Sequence, residues 1–152
     1  MKRRIGKESF KNAKNRAGKG QSAESAQDRA RRLEEQANAG DLEAALELAD
    51  ALKWGYYGEA SPERSAELYR RCTASSCGRV AAKAYYNLGV FYYYGLLDEP
   101  DVHRAFDCFM KSALIRPERE ALSRLGDMYR YGQYVERNEK VAMRLYLKAA
   151  TA

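Results

Sequence analysis

Apolar residues recur along this chain at helical intervals, in groups that return. Ala44, Leu48, Ala51 and Leu52 fall at i, i+4, i+7 and i+8, which places them on one stripe of a helix. The same spacing returns at Ala84, Leu88, Phe91 and Tyr92, and again at Ala121, Leu125, Met128 and Tyr129. Each stripe runs into a glycine, Gly55, Gly95 or Gly132, the residue that most readily takes the left-handed conformation closing a helix. A helix-starting signal follows each time: Ser61 before Pro62, Asp101 after Pro100, and Asn138 before Glu139. Second helices follow, with inner faces Ala105, Cys108, Phe109, Ser112 and Ala142, Leu145, Tyr146, Ala149.

The pattern predicts antiparallel helical hairpins in tandem. Leu88-Gly89 returns as Leu125-Gly126, Tyr94-Gly95 as Tyr131-Gly132, Ala105 as Ala142 and Lys111 as Lys148, each 37 residues on. A fixed period of this kind marks a helical repeat array. The earlier stretch fits less cleanly. Its first helix lies 40 residues before the corresponding one, its second 39. That register sets Ala66 and Ala74 against Ala105 and Ala113, puts Arg70 where Phe109 and Tyr146 stand, and leaves one extra loop residue near Gly58-Glu59-Ala60. Small residues share one slot (Ala49, Gly89, Gly126), as close approach of a neighbouring helix would demand. Glycine costs about 1 kcal/mol in a helix interior. Upstream, Ser22 or Ser25 can cap a helix carrying Ala26, Ala30, Leu33 and Ala37 on one face and ending at Gly40.

The expected fold is therefore all-α: an α/α superhelix, or solenoid, of three helical-hairpin repeats at about 41–74, 81–113 and 118–150. An N-terminal helix over 22–39 precedes them. Residues 22–152 form the repeat domain, and residues 1–21 a flexible basic arm too poor in large apolar side chains to offset its ordering entropy.

The repeated residues resemble the Sel1-like repeat, a relative of the tetratricopeptide repeat. Ala84, Tyr86, Leu88, Gly89, Tyr92, Gly95, Asp101, Ala105, Lys111 and Ala113 carry the resemblance in the second unit. In the third it rests on Ala121, Leu125, Gly126, Tyr129, Gly132, Val135, Ala142, Tyr146, Lys148 and Ala149-Ala150. The family's second loop glycine is replaced by Tyr57, Leu97 and Tyr134. The resemblance implies an adaptor that holds other proteins together. Secreted relatives that bind or hydrolyse β-lactams look stapled by paired cysteines in each repeat. That pairing is missing here, so the activity is not transferred.

Charge changes the picture at one end only. Residues 1–20 hold eight Lys/Arg against one Glu, a net of +7; the rest holds 19 Lys/Arg against 20 Asp/Glu, a net of −1. The arm, with Lys2, Arg3, Arg4, Lys7, Lys11, Lys14, Arg16 and Lys19, is either a solubilising tail or a polyanion contact, which makes a nucleic-acid-associated protein the alternative function. No apolar run reaches the length of a membrane span, and no apolar segment follows the charged start as in a signal peptide. Three cysteines without a framework spacing fit reduced thiols in a cytoplasmic protein.

Candidate chemistry is sparse. Cys72, Cys77, Cys108 and His103 have the composition of a zinc site, but Cys72 and Cys77 are five apart, as are His103 and Cys108, a separation of about 140° around a helix. The expectation is one structural thiol, Cys108, and two solvent-side ones, with no metal and no cofactor. No nucleophile motif, phosphate loop or dinucleotide turn is present, so the chain is expected to be non-catalytic.

Tyrosine is in surplus, 12 residues of 152. Tyr86, Tyr92, Tyr129 and Tyr146 fit core slots. On the first helices, polar slots align: Lys53 with Tyr93 and Arg130, Asn87 with Arg124 and Glu47, Asp127 with Asp50 and Val90. Aromatic and arginine side chains are the usual anchors of interfaces. Lys53, Tyr93, Arg124, Asp127 and Arg130 are thus the expected lining of a groove for a protein or peptide partner. The last repeat ends without a polar cap, so self-association through the C-terminal end, an end-on partner or a longer chain is also expected.

Overall fold

The computed structural model describes residues 22–152. The expectations placed on the basic arm, from Lys2 to Lys19, lie outside the described residues. Seven helices follow one another: α1 (Ala26–Asn38), α2 (Leu42–Trp54), α3 (Pro62–Cys72), α4 (Gly78–Tyr94), α5 (Val102–Ile115), α6 (Arg119–Tyr131) and α7 (Glu139–Ala150). There is no strand among the described residues. The pairs α2–α3, α4–α5 and α6–α7 are hairpins stacked in order, and α1 covers the open side of the first.

The helix ends form where their sequences dictate. Ser25 accepts a hydrogen bond from the Asp28 amide (3.1 Å), Asp101 from that of Arg104 (2.9 Å) and Asn138 from that of Val141 (3.0 Å). Gly55, Gly95 and Gly132 close the first helices in the left-handed region, with φ of 70°, 62° and 65°. The next amide in each case reaches back five residues, to Ala51, Phe91 and Met128, satisfying carbonyls that a helix end would otherwise leave open.

The three turns between paired helices have the same length. Ser61, Asp101 and Asn138 donate their amides to Leu52, Tyr92 and Tyr129 at 2.8–2.9 Å. No extra residue sits near Gly58, so the expected 39-residue offset for the first unit's second helix is corrected to 40 throughout. Ser65, Tyr69 and Cys72, all fully buried, take the slots of Ala105, Phe109 and Ser112, and of Ala142, Tyr146 and Ala149. Arg70 is exposed and does not share the Phe109 slot. The misleading anchor was Ala66, a small residue beside a buried serine. Ser65 is tolerated in the core because its hydroxyl donates to the Ala49 carbonyl at 2.7 Å. The thiols move with the register. Cys72 is buried and its Sγ lies 3.4 Å from the Leu42 carbonyl, the place that Ser112 takes against Ala82 at 2.8 Å. Cys108 is half-buried and only Cys77 is exposed.

One more regularity emerges from the corrected register. The Tyr69 hydroxyl donates to Asp50 and the Tyr146 hydroxyl to Asp127 at 2.5 Å. In the middle repeat the same two slots hold Phe109 and Val90, both buried. Where the ring carries a hydroxyl its partner carries a carboxylate, and where it does not the partner is aliphatic.

The small-residue slot has the cause expected of it. A Cβ at Gly89 would lie 2.5 Å from the Phe109 ring, and one at Gly126 2.7 Å from the Tyr146 ring. The two helices of the second and third hairpins close on that contact. The period differs between units at one place only. α4 has 17 residues against 13 in α2 and α6, the additional turn being its first, with Val80 fully buried and Ile115 beside Gly78. At the second loop-glycine position of the last repeat, Tyr134 takes a φ of 64°. Its ring stacks on His103 of the preceding repeat, centroids 4.5 Å apart, which holds a backbone conformation that costs a non-glycine residue about 1–2 kcal/mol.

Candidate interaction face

Side chains of the first helices reach across repeats, and three of their slots share one surface. Lys53 of α2 extends toward α4, where its Nζ donates to Asn87 Oδ1 at 3.0 Å and stands over the rings of Trp54 (5.0 Å) and Phe91 (5.6 Å). Burial lowers its pKa; Asp50 opposes that shift and the positive charge of Arg124 adds to it. Arg124 of α6 extends back to α4. Its Nη1 donates to the Tyr94 hydroxyl at 3.0 Å, and its guanidinium lies over Tyr94 (5.5 Å) and Tyr93 (5.9 Å). The Tyr93 hydroxyl donates to Gln133 Oε1 at 3.0 Å, and its ring meets Tyr94 edge-on at 5.0 Å. Arg130 is exposed, over the Tyr131 ring at 5.5 Å.

Of the five residues expected to line a groove, the structure brings Lys53, Tyr93 and Arg124 together through Asn87 and Tyr94. Arg130 continues the same face at the C-terminal side. Asp127 is turned to another task, accepting from Tyr146 within its own hairpin.

Sequence reasoning passed over the residue before each capping glycine. Trp54, Tyr94 and Tyr131 occupy one slot and are 64%, 51% and 65% exposed. The sequence carries the signal, a large aromatic in one slot of all three repeats. Tyr86, Tyr92, Tyr129 and Tyr146 are half-buried, while the fully buried tyrosine, Tyr69, was hidden by the slipped register.

Other parts of the molecule offer less. A hollow of about 400 Å³ between α1, α2 and α4 is lined by charges that are mostly paired, Glu43 with Arg79 and Glu47 with Arg29. At the far end, Met143 and Leu147 on α7 are 58% and 62% exposed. They hold the slots of Phe106 and Met110, which the following repeat covers. Among the described residues no cluster of His, Cys, Asp and Glu is placed to hold a metal, and no helix is long and apolar enough to cross a membrane.

The Sel1 repeat family matches the chain over residues 42–71, 82–114 and 119–152. Among solved structures, the chain is similar to a protective antigen of uropathogenic Escherichia coli strains displaying an SLR fold (TM-score 0.72, 24% identity), covering 84% of this chain and 26% of that one. It is also similar to a Sel1 repeat protein from Oxalobacter formigenes (TM-score 0.70, 21% identity), covering 80% of this chain and 48% of that one. The chain therefore spans about a quarter and about half the length of these two. No curated protein matches it. With three matched copies, each laid on one helical hairpin of the stack, the chain belongs to the Sel1 repeat family.

Proposed function

We propose that the protein is a non-catalytic adaptor that binds a protein or peptide partner across the first-helix face, with Lys53, Tyr93, Arg124 and Arg130 as contact residues and Asp127 behind them. The observation that carries this reading is the row of exposed rings at Trp54, Tyr94 and Tyr131, each under a cation: Lys53, Arg124 and Arg130. Three large aromatics in one slot are each more than half exposed, and rings with arginines dominate the energetics of interfaces. Membership of a family whose proteins generally mediate protein–protein interactions supports the same reading. The test is retention of partners from source-cell lysate by the full chain and by a Tyr93→Ala/Arg130→Ala variant with an unchanged circular dichroism melt. A discrete partner should be lost with the variant; undiminished retention removes the proposal. The exposed pair Met143 and Leu147 supports self-association as a second contact. It predicts a concentration-dependent sedimentation coefficient that Leu147→Glu abolishes.

A further inference from the structure

Eight arginines outside this face pair with described carboxylates, among them Arg29 with Glu47, Arg32 with Glu24, Arg64 with Glu34 and Arg79 with Glu43. Arg70, Arg119 and Arg144 are exposed without such a pair, and Arg71 donates to the Ala37 carbonyl. Lys53, Arg124 and Arg130 form no salt bridge with a described carboxylate. What holds Lys53 and Arg124 is neutral: the Asn87 amide, the Tyr94 hydroxyl, and the faces of Trp54, Phe91, Tyr93 and Tyr94. Both are partly buried, and the two are near enough for the charge of one to act on the other. Bringing two like charges together in a partly desolvated place is unfavourable. Neutral hydrogen bonds and ring faces fix their directions without cancelling their charge. Asp50 accepts from the Tyr69 hydroxyl and its charge offsets part of the repulsion on Lys53, while Asp127 accepts from Tyr146; neither forms a salt bridge with Lys53 or Arg124.

Resting on the adaptor reading above, we infer that the partner segment is acidic: an extended peptide presenting Asp or Glu carboxylates to Lys53 and Arg124, with its neighbouring side chains against Trp54 and Tyr94. A carboxylate between the two cations removes their repulsion and gains charge-assisted hydrogen bonds where water is partly excluded. The rings beside them offer flat apolar area, and Gln133, whose Oε1 takes the Tyr93 hydroxyl, presents its amide nitrogen to a peptide backbone. Those features favour a peptide over a nucleic acid, whose backbone would need cations in a continuous track.

The test uses the full chain, immobilised, to select from a random dodecapeptide display library. The strongest sequence is then measured by fluorescence anisotropy, beside a counterpart with every Asp and Glu changed to Asn and Gln. The basic arm attracts any acid, so the deciding quantity is the difference between the protein and its Lys53→Met and Arg124→Gln variants, each checked for an unchanged melt. Expected are an acid-enriched pool, about tenfold weaker binding of the amide counterpart, and a loss of about tenfold for the acidic peptide in each variant. The variants should leave the amide counterpart unaffected. A pool without acid enrichment that still needs Trp54 overturns the acidic inference and keeps the adaptor reading. Acid preference unchanged in both variants overturns the inference by assigning the preference to the arm. Failure to select any peptide overturns both readings. A labelled oligothymidylate bound through Lys53 and Arg124 in place of peptide overturns the inference in favour of nucleic acid.

Discussion

Exchanging the pair Asp50–Tyr69 for the pair its neighbour uses, Val90–Phe109, isolates one interaction that fastens α2 to α3. In Tyr69→Phe the Asp50 carboxylate, half-buried, loses the hydroxyl that donates to it. A hydrogen bond to a charged group contributes about 1.5–3 kcal/mol. Lys53 lies near enough to offset part of the loss, which sets the expected cost at about 1–2 kcal/mol. In Asp50→Val the fully buried Tyr69 hydroxyl loses its acceptor. Ser65 stands beside it as a partial substitute, so the expected cost is about 1 kcal/mol. The double variant recreates a combination that already packs in the middle repeat, and it should fall within about 1 kcal/mol of the original protein. In urea unfolding followed by far-UV circular dichroism, each single variant should lower the midpoint by about 0.5–1 M at a slope of about 2 kcal/mol per M. The double variant should recover most of that loss. A double variant as unstable as the sum of the singles, or singles with no effect, would refute the pairing and with it the 40-residue register of α3.

The glycine slot and the thiols give two further expectations. Gly89→Ala should destabilise by about 1–3 kcal/mol despite its better helix propensity, because the Phe109 ring is fixed inside the core. Gly126→Ala should cost less, since the Tyr146 ring is only half-buried and can yield; equal losses in denaturant titrations would contradict that ordering. Burial pushes the Cys72 and Cys108 thiols up to about 11 from a usual 9. The folded chain therefore keeps protons that the unfolded chain releases, and this contribution to stability, complete below pH 9, declines between about pH 9 and 11. Cys72→Ser, which copies Ser112, should flatten the decline in the unfolding midpoint. At neutral pH iodoacetamide should modify Cys77 rapidly and Cys72 only on unfolding, as read by peptide mass analysis.

How much of this was legible in the sequence depended on what each residue type announces. The stripes and C-terminal ends of the first helices were readable, because a leucine stripe, a Leu-Gly step and a capping glycine each have one cheap conformation; the additional first turn of α4, from Gly78, was not. Second helices begin at Ser61, Asp101 and Asn138 as their cap chemistry requires. α3 slipped by one because Ser65 and Ala66 are both small and both buried, and the hydrogen bond that admits Ser65 is a tertiary fact. That slip hid Tyr69, and through it the Asp50–Tyr69 link. On the first-helix face, the slots of Lys53, Tyr93, Arg124 and Arg130 followed from the period. The direction of each side chain did not. Asp127 turns to Tyr146 and Arg124 reaches Tyr94 because of rings on other helices.

The additional turn at the start of α4 bears on how similar hairpins find a single order. First helices with the same stripe offer a folding second helix several acceptors of like chemistry, and arrays of this kind are open to docking in the wrong sequence. Only α4 carries a turn ahead of its stripe, closed over Val80 and lying along Ile115. A hairpin docked out of place would leave that valine in water, a loss of about 1.5–3 kcal/mol. The turn thus serves as an address, assigning the middle hairpin to the middle position and giving a symmetric stack a beginning and an end.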